Sequence, residues 1–270
     1  MKTFRHIVLA MAALLTLSCA KEMQPERGGE MLTVQYGITV DAPTKALGDG
    51  KTATHVWYAL YRANGSLVSE CAAPAKIDAD RKAICPVTMA KDQDYKVVFL
   101  AMYYEGTTPA YTVDAQSKTV SMPTQAQANS DKFDLFYAVD EVVDFQGAQS
   151  TNVQLDRIVA QINFELSEET WNTLAVESNF KSAITISNAP RTFNLFTGAI
   201  SDNVTASFAK SAIPSEGRKI GTAYCFASAD GEQKVDTSIR LYNEDDYEVK
   251  STSATAVPVA ANKQTNLKIN

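Results

Sequence analysis

Residues able to do acid–base or nucleophilic chemistry are sparse in this chain. Only two histidines occur, His6 and His55, and His6 lies in an apolar leader. His55 precedes the run VWYALY, where a lone imidazole beside aromatics reads as a packed or surface residue. A Ser–His–Asp or Cys–His system needs an imidazole poised on a nucleophile, and no nucleophile-elbow motif supports one. The phosphate-binding glycine loops and HExxH are also missing. The carboxylate pairs Asp140-Glu141 and Asp245-Asp246 are adjacent in sequence. Neighbours on a strand point to opposite faces, which is wrong for the opposed acid and base of a glycosidase. The acidic turn Asn243 to Asp246 lacks the glycine and terminal glutamate of a calcium loop. These residues predict a non-enzymatic protein with no metal and no other cofactor.

The cysteines divide into two kinds. Cys71, Cys85 and Cys225 have no CxxC spacing and almost no histidine beside them, which excludes the common zinc patterns. Outside the cytoplasm a Cys71–Cys85 bridge across a hairpin is one reading, and small core residues the other. Cys19 is different. Lys2 and Arg5 precede IVLAMAALLTL, a run short for a membrane span and suited to a secretory leader. It ends in LTLSC, which resembles the lipobox of bacterial lipoproteins. That resemblance implies cleavage before Cys19 and acylation of its thiol, anchoring the chain to outer-membrane lipid. The AKEM that follows resembles the surface-export signal of Bacteroidota-type lipoproteins; polar linker is the alternative.

At 270 residues, 45% hydrophobic and 21% charged, the composition is globular and long enough for two domains. Without Lys2 and Arg5 the chain holds 23 basic and 31 acidic residues, a net charge of −8. That balance argues against nucleic acid as a partner.

After the leader (1–18) and a polar tether (19–30), the pattern is almost wholly β. Leu32, Val34, Tyr36, Ile38 and Val40 alternate on one face. HVWYALY runs into RANGSLVSE, where Asn64-Gly65 signals a hairpin turn. DYKVVFLAMYY is apolar on both faces, as a central strand requires. AYTVDAQSKTVSM reads as a further ribbon. One helix is expected over 167–177, with Ser167 as N-cap and Trp171, Leu174 and Ala175 on its apolar face. These elements predict two β-sandwich domains, 31–150 and 151–270.

QLDRIVAQINFELS (154–167) fits both a helix, through Leu155, Ile158, Val159, Ile162 and Leu166, and a strand, through Ile158, Ala160, Ile162, Phe164 and Leu166. Together with DLFYAVDEV (134–142) it resembles the mid-chain signature of fimbrillin-type lipoproteins of Bacteroidales, the subunits and anchors of type V pili and their cell-adhesion relatives. Leu155, Arg157, Ala160 and Ile162 match that pattern. The VWYALYRANGSLVSE hairpin, the lipobox and the VPVAANKQTNL terminus agree with it. The resemblance favours the strand, and places Arg157 at the domain junction or in solvent, tying backbone carbonyls or a carboxylate such as Asp140.

The family resemblance implies two transthyretin-like β-sandwiches in tandem, at the cell surface or in a fimbrium. It also implies other fimbrial subunits as partners through β-strand addition, with a host protein or glycan beyond them. In polymerising members a trypsin-like protease frees the first strand, and a neighbour's C-terminal segment fills the groove. Lys45 is the matching cleavage position here; Arg27 would free only the anchor. Lys45 is not the arginine favoured by the best-known processing protease. Val257, Val259, Thr265, Leu267 and Ile269 share one period-two face, giving a terminal hairpin that could be donated or could close its own sheet. A monomeric surface lipoprotein, or a terminal subunit that accepts a strand and donates none, stays open. The alternative function is a carbohydrate-binding surface lipoprotein of a glycan-uptake system, using Trp57, Tyr58, Tyr61, Tyr103 and Tyr104 as a platform.

Overall fold

The computed structural model describes residues 30–40, 52–123, 125–147, 151–215 and 217–270. In chain order the strands are β1 (Met31–Thr39), β2 (His55–Arg62), β3 (Leu67–Glu70), β4 (Ala75–Lys76), β5 (Lys82–Ala90), β6 (Tyr95–Met102), β7 (Tyr104–Glu105) and β8 (Thr108–Pro109). They continue as β9 (Thr112–Asp114), β10 (Thr119–Ser121), β11 (Gln125–Gln127), β12 (Phe136–Val142), β13 (Thr151–Gln154), β14 (Asp156–Arg157) and β15 (Val159–Leu166). After the helix α1 (Glu168–Thr173) come β16 (Lys181–Asn194), β17 (Ile200–Ala212), β18 (Lys219–Phe226), β19 (Lys234–Tyr242), β20 (Glu248–Pro258) and β21 (Gln264–Ile269). The expectation of an all-β sandwich chain holds.

The first sandwich faces the sheet β13-β1-β5 against the sheet β14-β12-β6-β2-β3. Val34, Tyr36 and Ile38 of β1 and Ala83, Cys85, Val87 and Met89 of β5 pack on Leu60, Val97, Phe99 and Phe136 from the facing sheet. The other face of that sheet is covered as well. Trp57, Ala59, Tyr61, Val98, Leu100 and Met102 join the larger core of the second half. β6 is apolar on both faces because both are buried. Asn64-Gly65 makes the β2–β3 turn, with Gly65 at φ 84° and Ser66 donating its N–H to Asn64 Oδ1.

In the second sandwich the sheet β18-β15-β21 lies on a seven-stranded sheet built around β16 and β17. The sheets touch at Gly221, where a Cβ would stand 2.5 Å from Ile239 Cδ1 and 3.0 Å from Ile184 Cδ1. β9, β10 and β11 precede residue 150 yet pair within this second sheet: β10 with β16, and β11 in parallel with β17. β13 and β14, which follow residue 150, pair with β1 and β12 in the first sandwich, so each sandwich is built from strands on both sides of the 150/151 boundary expected from the sequence.

QLDRIVAQINFELS is extended, and β15 is buried along nearly all its length. Val159, Gln161 and Asn163, on the opposite parity to Ile162 and Phe164, are buried too. Ser167 caps α1 by accepting from Thr170 N, but the helix stops at Thr173. Ala175 adopts a left-handed φ of 47° and lies exposed, so only Trp171 and Leu174 lean on the core.

Cys71, Cys85 and Cys225 are free thiols, which corrects the Cys71–Cys85 bridge. Cys85 lies on β5, paired with Tyr36, whereas Cys71 follows β3 in the facing sheet. The Cys71 sulfur instead accepts a hydrogen bond from Tyr58 N at 3.5 Å.

Candidate functional site

The first strand sits at the centre of its sheet. All nine residues of β1 are in register with β5, antiparallel, from Met31↔Ala90 to Thr39↔Lys82. On the other side Tyr36 to Thr39 pair in parallel with Thr151 to Gln154 of β13. Strand alternation sends Val34, Tyr36, Ile38 and the following Val40 inward, each at most 3% exposed. Their burial gives β1 a large hydrophobic anchorage, about 1.5–3 kcal/mol for each full side chain.

One polar contact marks the inward face. Tyr36 donates its hydroxyl to Asp140 Oδ2, on β12 of the facing sheet, at 3.0 Å. Burial, and then the Asp140 carboxylate, push the Tyr36 pKa upward, so the hydroxyl stays a donor. Its ring also meets Phe99 at 5.1 Å. On the outward face Gly37 lies under Asn152, where a Cβ would stand 2.6 Å from Asn152 Oδ1. β5 ends the sheet, and Pro86 in its middle lacks the N–H that an added strand would use. The place where this sheet offers two partner strands at once is the slot that β1 fills.

The profile of the family of unknown function DUF6562 matches residues 24–270. The chain belongs to that family. No curated protein matches it. Among solved structures it is similar to a putative adhesin from Bacteroides ovatus, at 11% identity and TM-score 0.55, over 88% of this chain and 87% of the other. It is equally similar to a Bacteroides thetaiotaomicron protein described as a putative polysaccharide binding protein, at 11% identity and TM-score 0.55, over 87% and 90% of the chains. A putative cell adhesion protein from Bacteroides uniformis matches at 12% identity and TM-score 0.50, over 92% and 94%. At such identities the likeness establishes a common fold.

The sequence-predicted residues of this DUF6562 chain fall in several places. Cys19, Arg27 and Lys45 lie outside the described residues. Val257 is buried near the end of β20 and Val259 just beyond it, and Ile269 is buried in β21, with Thr265 and Leu267 half-buried. They do not form a hairpin. β20 pairs with β19, whereas β21 pairs in parallel with β15 in the opposite sheet. The turn at 260–263 carries the chain over the sandwich edge, where Ala261 N donates to Ser228 O and Asn262 N to Val159 O.

Arg157 is at the seam, but Asp134 is its partner, not Asp140. Nε reaches Asp134 Oδ1 at 2.6 Å and Nη2 reaches Oδ2 at 2.7 Å. Burial pushes the Asp134 carboxyl pKa up, and the Arg157 hydrogen bonds pull it back. Asn129, which no sequence signal singled out, joins β16, β17 and β18 through one side chain.

The aromatics do not assemble into a platform. Trp57 and Tyr61 are buried, and Tyr58, Tyr103 and Tyr104 are half-buried. His55 packs edge-on against Tyr104 at 5.1 Å, its Nδ1 2.9 Å from Thr54 Oγ1. Burial lowers its pKa. Among the described residues no cluster of three His, Cys, Asp or Glu is placed to hold a metal ion.

Proposed function

We propose that this protein is a non-enzymatic, fimbrillin-like structural or adhesion subunit at the bacterial cell surface, tethered through acylated Cys19. Its assembly step is exchange of β1. The observation that carries this reading is the position of β1: inserted between β5 and β13, anchored by an inward apolar stripe, and followed at once by a segment holding Lys45. Cutting there leaves β1 attached by non-covalent pairing alone. A strand from a neighbour then meets main-chain partners on both sides and apolar pockets below. The fold shared with proteins named as adhesins supports the same reading. The buried Trp57 and Tyr61 weigh against the glycan-platform alternative.

Limited trypsin treatment of the leaderless protein tests this. Cleavage at Lys45 is expected to yield SDS-resistant ladders. A nicked protein that stays monomeric under all conditions overturns strand exchange. Separately, Cys19→Ala is expected to move the protein from the membrane fraction to the soluble one.

A further inference from the structure

We propose that the slot held by β1 selects its occupant by one hydrogen bond: it takes an extended segment that delivers an aromatic hydroxyl to Asp140. The partner strand is therefore one other than this chain's own C-terminal strand. This rests on the strand-exchange reading above and names the partner's chemistry.

The inward face of β1 presents Val34, Tyr36 and Ile38 to the facing sheet. The Val34 and Ile38 positions are apolar, and such pockets accept other aliphatic side chains of similar volume at small cost. The Tyr36 position differs, because Asp140 Oδ2 accepts the hydroxyl at 3.0 Å from across the sandwich. A site built to meet a hydroxyl discriminates against a strand lacking one, since its polar group loses its partner. The outward face adds a filter of size. An occupant with a side chain at the Gly37 position turns Asn152 aside.

This chain's own C-terminal strand does not meet that requirement. The period-two face Thr265, Leu267, Ile269 has no aromatic hydroxyl, and setting Leu267 in the Tyr36 position leaves Asp140 without its donor. β21 is also engaged at home, paired along its length with β15. Of the eleven tyrosines only Tyr36 is followed by glycine, so no other strand of the chain reproduces the Tyr-Gly step.

The test uses full-length protein nicked at Lys45 and fluorescent peptides in excess. The peptides are residues 31–40, its Tyr36→Phe and Gly37→Val forms, and residues 258–270. Uptake is read by anisotropy and by size exclusion. The 31–40 peptide is expected to enter, with the Tyr36→Phe form about five- to tenfold weaker. The Gly37→Val form should be weaker as well, and residues 258–270 should not enter. In nicked Asp140→Ala protein, which lacks the acceptor, the preference for tyrosine over phenylalanine should shrink toward unity, an effect that loss of general stability does not produce. If residues 258–270 enter as well as 31–40, or the phenylalanine form binds equally, the selection is wrong while strand exchange stands. If no peptide enters, not even 31–40, the slot does not open and both readings fall.

Discussion

Arg157 and Asp134 form a two-pronged ion pair that is buried at both ends, at 2.6 and 2.7 Å. The guanidinium also lies 4.9 Å over the Phe136 ring and reaches Asn262 Oδ1 at 3.3 Å. Asp134 follows the short 3-10 turn Asp131–Phe133, Arg157 is in β14, and Asn262 is in the turn before β21. One side chain thus ties three segments at the seam between the sandwiches. Charge-assisted, bidentate geometry suits arginine and not lysine.

Arg157→Ala leaves the Asp134 carboxylate buried and unpaired. It is expected to lower the unfolding free energy by about 3–5 kcal/mol. Urea denaturation checks this. Arg157→Met combined with Asp134→Leu removes both charges and should cost less than the single change, because no lone charge remains.

Asn129 makes a second tie. Its φ of 59° lies in the left-handed region, where asparagine is tolerated. Its Nδ2 donates to Ser182 Oγ at 2.9 Å and to Ala212 O at 2.9 Å, and its Oδ1 accepts from Thr222 N at 2.7 Å. Asn129→Ala loses these bonds and adds backbone strain, for about 2–4 kcal/mol together. Asn129→Gly relieves the strain alone and should be about 1 kcal/mol more stable than the alanine form. Equal stabilities for the two would show that strain is absent.

What was legible in the sequence was local. The alternation of β1, the Asn64-Gly65 turn and the doubly apolar β6 all follow from side-chain period and turn chemistry, and each stands where expected. Pairing over long separations was not legible. Nothing in TVDAQSKTVS says that β10 joins β16 rather than the first sheet, since strand period is blind to which edge is vacant. The same blindness made VPVAANKQTNL read as a hairpin: a tight turn and an arch between sheets use similar residues. Asp134 and Asp140 flank one apolar run six residues apart. Only the three-dimensional fold puts Asp134 beside Arg157 and Asp140 beneath Tyr36.

The free thiols give a chemical prediction. Burial pushes Cys85 and Cys225 up to about 12, so thiolate is scarce at neutral pH. Cys71 is half-exposed, although burial raises its pKa too. Native protein treated with a thiol reagent should label at Cys71 first. Cys85 and Cys225 should react only on unfolding. Peptide mapping without reductant should find no 71–85 cross-link; a cross-linked pair would restore the disulfide reading.

Buried tyrosines set the alkaline limit. Burial pushes Tyr137 up to about 12, Tyr36, Tyr61 and Tyr224 higher still, and Tyr111 well above the ordinary tyrosine value. In the unfolded chain tyrosine ionises near pH 10. Above that value the folded state holds protons that the unfolded state has lost, so rising pH favours unfolding. The stability is fully present below about pH 10 and falls above it, by about 1.4 kcal/mol per pH unit for each buried tyrosine. Urea midpoints measured across that range should drop steeply, and the tyrosinate absorbance of the buried tyrosines should appear together with unfolding, after any from exposed Tyr247. Tyr137→Phe should flatten the slope while lowering stability at neutral pH, because its hydroxyl donates to Leu195 O at 2.8 Å. If all the tyrosines instead titrate near pH 10 in protein that stays folded, their hydroxyls are in contact with water and this account of the core fails.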